Sequence, residues 1–172
     1  ASPGDVIDIQ VSNITLLSTL VINKNLTISS NASGGKATIT TNSNIPNTSA
    51  SFRAVEIGTT TVVVTFNDII FRDHQYVVNG SAPFTGGLMT LSGTATFNGC
   101  EFINIYLSRK NGSGITRGGA INNGAKTLTL NDCLFDDVRI SLSPDFPGVI
   151  ASGGAIHNSA NLSINNTIFR NT

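Results

Sequence analysis

The chain repeats itself, and that repeat leaves little choice of fold. Aligned on phenylalanine, four segments fall into line: VEIGTTTVVVTFNDIIF ending at Phe71, GGLMTLSGTATFNGCEF at Phe102, GGAINNGAKTLTLNDCLF at Phe135 and GGAIHNSANLSINNTIF at Phe169. The phenylalanines step by 31, 33 and 34 residues. Four residues before each stands an asparagine: Asn67, Asn98, Asn131 and Asn165.

Before that asparagine the residues alternate with period two. Val64/Phe66, Ala95/Phe97, Leu128/Leu130 and Leu162/Ile164 are apolar, with Thr65, Thr96, Thr129 and Ser163 between them. This predicts a strand with one face inside and small hydroxyl residues outside. A second strand starts near the glycine pairs, where Ile57, Leu88, Ala120 and Ala155 are expected in one interior column. After the asparagine, Ile69, Cys100, Cys133 and Thr167 form another column, and the four phenylalanines a further one. Helical periodicity of comparable quality is absent from the sequence.

Three short strands repeated with like residues in register describe a β-solenoid, an all-β parallel β-helix whose coils stack at about 4.8 Å. Phe71, Phe102, Phe135 and Phe169 are then expected as an internal stack, and Asn67, Asn98, Asn131 and Asn165 as a ladder at a corner. Asparagine tolerates left-handed backbone, and its side-chain amide can bond to the same amide one coil away. Asp68, Gly99, Asp132 and Asn166, which follow, are also turn formers. An antiparallel sandwich would not need this register.

The whole of residues 1–172 reads as one β-helix domain, with irregular leading coils over 1–52 and regular repeats over 53–172. In the leading part, LVINKNLTISS resembles the strand-corner portion, and KATITTN turns Ala37 and Ile39 inward. The connections 72–85, 103–117 and 136–152 vary, and all leave at the same corner, so loops are expected to project from one face. Insertions on one face of a solenoid are where recognition usually resides. Charged residues are only 12% of the chain and balance to zero, without a basic cluster, which excludes an electrostatic footprint for nucleic acid. No apolar run reaches the roughly 18 residues of a membrane span, so direct membrane insertion is not expected. The opening ASPGDVIDIQ lacks the regions of a signal peptide, so a leader on an exported precursor is expected to have been removed.

GGAI followed by a strand, then phenylalanine near asparagine, resembles the repeat of chlamydial polymorphic membrane proteins and of adhesin-like β-helical surface proteins of other bacteria and methanogenic archaea. PGDVIDI, LVINKNLTI and FRAVEI resemble their opening segment. The resemblance implies a right-handed parallel β-helix at an extracellular or cell-surface location, serving adhesion or structure. One departure favours the broader class over the chlamydial branch: where that repeat carries FxxN, this chain reads FRDH, FINI, FDDV and FRNT.

Candidate chemistry is sparse. Asp73 and Asp137 follow the phenylalanines at the mouth of the loops and are weak candidates for a shared calcium ion or an acid–base pair, although the intervening coil offers Asn104. His74 and His157 lie in different parts of the repeat, neither with a partner at ligand spacing. Cys100 and Cys133 share a column in consecutive coils, as a disulfide or as two stacked thiols. The sequons at Asn79 and Asn111 fall on projecting loops and are candidates for glycan, whereas the amide of Asn165 is needed in the ladder. No catalytic residue and no cofactor is implied.

Neither end of the sequence shows a cap, so the expectation is either further coils in a longer protein or pairing with neighbouring subunits in a filament. The function expected is a non-enzymatic extracellular adhesion or structural module, with a surface receptor or glycan as partner at the loops. The alternative is a β-helix that binds or degrades carbohydrate through the loop face.

Overall fold

The computed structural model describes residues 1–32, 34–41, 52–112, 114–124, 126–142 and 149–172. Strands β1 (Asp5–Ile9), β2 (Asn13–Leu16) and β3 (Leu20–Ile22) make the first turn, and β4 (Leu26–Ser30), β5 (Ala37–Thr41) and β6 (Val55–Ile57) the second. The next turn holds β7 (Val63–Asn67), the long β8 (Ile69–Val78), a short β9 (Phe84–Thr85) and β10 (Met89–Leu91). It is repeated by β11 (Thr94–Asn98), β12 (Glu101–Arg109), β13 (Gly114–Arg117) and β14 (Ile121–Asn123). A further repeat is β15 (Leu128–Asn131), β16 (Leu134–Leu142), β17 (Val149–Ser152) and β18 (Ile156–Asn158), and β19 (Leu162–Asn165) and β20 (Ile168–Arg170) follow.

Equivalent strands stack into parallel sheets. Sheet A runs β1-β4-β7-β11-β15-β19, sheet B β2-β5-β8-β12-β16-β20, and sheet C β3-β6-β10-β14-β18. The chain is thus a parallel β-helix, and no helix occurs among the described residues. The columns expected from the repeat bring like onto like: Phe66 opposes Phe97, Phe102 opposes both Phe71 and Phe135, and Thr96 opposes Thr65 and Thr129. The alternation of the sequence becomes alternation of burial, with Val64, Phe66, Ala95, Phe97, Leu128 and Leu130 buried and the threonines between them half-buried.

One column differs from expectation. Ile57 opposes Leu91, and beyond it Asn123, rather than Leu88. The corner from β6 to β7 spans residues 58–62, whereas that from β10 to β11 spans only 92–93. Counting back from phenylalanine therefore slips by the three extra corner residues.

The connections after the phenylalanines leave at one corner as expected, but much of their length is strand. β8, β12 and β16 run well past Phe71, Phe102 and Phe135, and β9, β13 and β17 return as a fourth parallel sheet, D. The result is a two-layered arm stacked in the same register as the body. Part of the connection 136–152 lies outside the described residues.

Candidate functional site

The corner between sheets A and B carries the ladder. Asn98 Nδ2 donates to Asn67 Oδ1, Asn131 Nδ2 to Asn98 Oδ1 and Asn165 Nδ2 to Asn131 Oδ1, each at 2.8 Å, and Asn67 Nδ2 donates to Ser29 Oγ at 2.9 Å. The left-handed backbone falls one residue later than the ladder itself, on Asp68 (φ 54°), Gly99 (60°), Asp132 (53°) and Asn166 (47°). The ladder asparagines stay in their strands, which aligns their amides along the axis. Left-handed backbone is least costly on Gly, Asn and Asp, which are the residues found there.

Inside, the Phe71–Phe102, Phe102–Phe135 and Phe135–Phe169 ring centroids lie 5.4, 4.4 and 4.8 Å apart, near-parallel. A second pair, Phe66–Phe97, stacks at 4.9 Å and meets Phe71 and Phe102 edge-on. Cys100 and Cys133 are buried free thiols in one column. Their Sγ–H groups donate to the Phe66 and Phe97 carbonyls at 3.5 and 3.4 Å. Burial pushes the Cys100 thiol up to about 12 and that of Cys133 up as well, so both stay protonated.

The arm begins at a second left-handed corner, two residues after each phenylalanine: Asp73 (φ 54°), Asn104 (57°), Asp137 (55°) and Asn171 (53°). Asp73 and Asp137 share this column with Asn104 between them, so they are two turns, about 10 Å, apart. Oxygen ligands 2.3–2.6 Å from one calcium ion cannot be that distant. Each carboxylate is also engaged: Asn104 Nδ2 donates to Asp73 Oδ1 at 2.7 Å and Arg72 pairs with Asp73 at 3.1 Å. Arg139 pairs with Asp137 at 2.8 Å, and the Tyr106 hydroxyl donates to Asp137. The bond to Asp137 raises the Tyr106 pKa, since losing the proton would oppose two negative oxygens. Asp136 is held by Arg170 at 2.8 Å and Asn171 at 3.1 Å, which lowers its pKa.

The glycine pairs close the base of the arm. Gly86, Gly118 and Gly153 have φ of 69°, 65° and 69°, turning sheet D into sheet C. A Cβ on Gly87 would lie 2.2 Å from the Gly119 carbonyl and 3.1 Å from Leu107 Cβ, and one on Gly119 would lie 2.1 Å from the Gly154 carbonyl. The returning strand therefore passes too close for any side chain.

Two polar residues of the arm are buried: His74, weighed from the sequence as a single polar side chain, and Arg109, which was not singled out. His74 stands in register with Ile105, and Ile105 with Val138, an interior column. Its Nε2 is 2.9 Å from the Gly87 carbonyl and its Nδ1 2.6 Å from Thr41 Oγ1, so the neutral ring donates to the first and accepts from the second. Desolvation lowers its pKa to about 4. Arg109, in register with Val78 and Leu142, is buried. Its Nε donates to Thr116 Oγ1 and its Nη2 to the Ala82 carbonyl, both at 2.8 Å, with Nη1 on the Gly80 carbonyl. The available signal was Asp or Asn two residues after every phenylalanine, which resets the alternation. At the tip, Asn79 and Asn111 are exposed, and Asn111 Oδ1 accepts from the Gly80 amide at 2.5 Å. His157 lies half-buried on β18, its pKa lowered by burial and by Arg117.

Beyond the arm, the first and last turns expose interior columns. Leu162, Ile164 and Phe169 are exposed along β19 and β20. At the opposite edge an apolar pit of about 230 Å³ has Ile9, Ile14, Ile22, Ile28 and Ile39 in its walls, with Phe66 and Phe71 at its floor. No family model matches the chain, and neither a curated protein nor a solved structure does.

Proposed function

We propose that the chain is an extracellular structural or adhesion module, a rigid rod whose arm faces outward for recognition and whose ends meet further coils or neighbouring subunits. The observation that carries this reading is where the polar side chains are used. Asn67 through Asn165 hold one turn to the next, Asp73 and Asp136 do the same at the base of the arm, Asp137 is paired within its own strand, and His74 ties the arm to the glycine corner. Groups bound to one another in this way maintain shape. The resemblance of the GGAI-to-phenylalanine repeat to adhesin-like surface proteins supports the same reading, and the stacked tips at Asn79 and Asn111 suit contact with a receptor or glycan.

Protease treatment of intact cells of the source tests it. The arm should be cleaved without lysis, and complete protection until the cells are broken would sink the proposal. A carbohydrate-binding role finds support in the outward column Gln75, Tyr106 and Arg139, where the Arg139 guanidinium lies 4.7 Å from the Tyr106 ring centroid. Glycan-array binding abolished by Tyr106→Ala in a folded protein would favour that second role.

A further inference from the structure

We propose that Asp5 and Asp8 of the first strand reject head-to-tail stacking of one copy on another, and that the opposite edge, β19 and β20, is specific for a coil of this repeat's own design. Such a coil offers an apolar side chain over Leu162 and a side-chain amide over Asn165. The inference rests on the proposed function only in taking the edges of the rod as meeting places.

The ladder has a direction. Each asparagine donates toward the preceding turn: Asn165 to Asn131, Asn131 to Asn98, Asn98 to Asn67, and Asn67 to Ser29. The neighbouring corner follows the same sense, with Asn166 Nδ2 donating to Asp132 Oδ1 at 2.5 Å. Asn165 therefore presents its Oδ1 to whatever lies beyond β19, and no donor among the described residues reaches that oxygen. The matching residue of an added coil has to be a donor.

The leading strand of a second copy does not supply one. Asp8 opposes Ser29, which opposes Asn67, so Asp8 occupies the ladder column. An ionised carboxylate only accepts, and it would face the Asn165 carbonyl oxygen acceptor to acceptor. Asp5 opposes Leu26, which opposes Val64, and the column continues through Ala95 and Leu128 to Leu162. Asp5 thus sets a charge in an apolar column, held there by the Ser2 amide. Inward-pointing charge on an edge strand is a recognised barrier to edge-to-edge pairing. The rest of the leading edge is compatible: Ile7 follows the column of Ile164, and Ile14 that of Phe169. Two residues are all that stand against continuing sheets A and B from one copy into the next.

Sedimentation velocity of the full chain decides the matter, with circular dichroism to verify the fold. The wild-type chain should remain a single-chain species as its concentration is raised. Asp5→Leu/Asp8→Asn should form end-to-end chains, with association at least about tenfold stronger, or about 1.4 kcal/mol. Adding Asn165→Leu at the far edge, which removes the outward-facing acceptor, should dissolve them. If Asp5→Leu costs the fold, Asp8→Asn alone should still show the tenfold rise. Wild-type protein that polymerises end to end as readily as the variant overturns the proposal, as does a folded variant that stays monomeric or polymers indifferent to Asn165→Leu. Any of these outcomes leaves the protease result on intact cells untouched, so the two readings fail separately.

Discussion

His74 shows what a buried polar side chain needs in this fold: two partners fixed by different turns, and no charge. The folded chain keeps it neutral down to about pH 4, whereas the unfolded chain takes up the proton near the ordinary histidine value of 6.5. Between those values the unfolded state binds more protons, so stability is full above about pH 6.5 and falls as pH drops towards 4. The loss should approach about 3 kcal/mol. Urea midpoints measured across that range should decline in the wild type and decline less in His74→Gln; equal slopes would mean that the ring is not desolvated. The ladder gives a second prediction at this scale. Asn131→Ala removes two amide bonds and should cost about 1–3 kcal/mol. Asn131→Asp keeps an acceptor for Asn165 but sets a carboxylate oxygen against Asn98 Oδ1, acceptor to acceptor, and should cost at least as much as alanine. Chemical denaturation of the three proteins checks the order.

At the scale of the element, body and arm differ in how far the sequence reveals them. The strands of sheets A and B from β7 onward were legible because each carries a fixed mark, asparagine at the end of one and phenylalanine near the start of the other. The arm was legible only as a length. Its interior column Tyr76, Leu107 and Ile140 alternates correctly, but only after the count is restarted at Asp73, Asn104 and Asp137. A left-handed residue puts two successive side chains out of phase, so an uninterrupted period-two reading places His74 and Arg109 on the wrong face. Asp73 and Asp137 were noticed as carboxylates when their backbone angle was the informative property. The glycine pairs were visible, but their cause is a close approach of non-adjacent backbone that only the fold shows. That cause predicts a contrast. Gly119→Ala sets a Cβ 2.1 Å from the Gly154 carbonyl and should cost at least about 2 kcal/mol, opening the base of the arm. Gly124→Ala, whose nearest neighbours stand 3.7 Å and 3.9 Å away, should be tolerated. Thermal unfolding of the pair, with limited proteolysis of the arm, measures the difference.

For the whole molecule, stacked turns that contact mainly their neighbours make stability a property that varies along the axis. The middle turns fill their lumen with two aromatic columns, Phe66–Phe97 and Phe71–Phe102–Phe135. Toward the first strand the same columns continue as Ile28 and Ile39 and then as Ile7 and Ile14, which leaves the pit of about 230 Å³ above Phe66 and Phe71. Unfilled lumen forfeits dispersion contacts as well as burial, so the first two turns should open more readily than the middle ones. Amide hydrogen exchange should accordingly be fastest in β1 to β3, slower in β4 and β5, and slowest in β8 and β12. Ile39→Phe extends the phenylalanine column by one ring over Phe71, and aromatic stacking adds about 0.5–1.5 kcal/mol beyond burial. Its expected effect is local: protection should rise in β4 and β5 and stay unchanged in β12 and β16. If Ile39→Phe instead speeds exchange in β5, the ring does not fit, and the space above Phe71 is narrower than the pit implies.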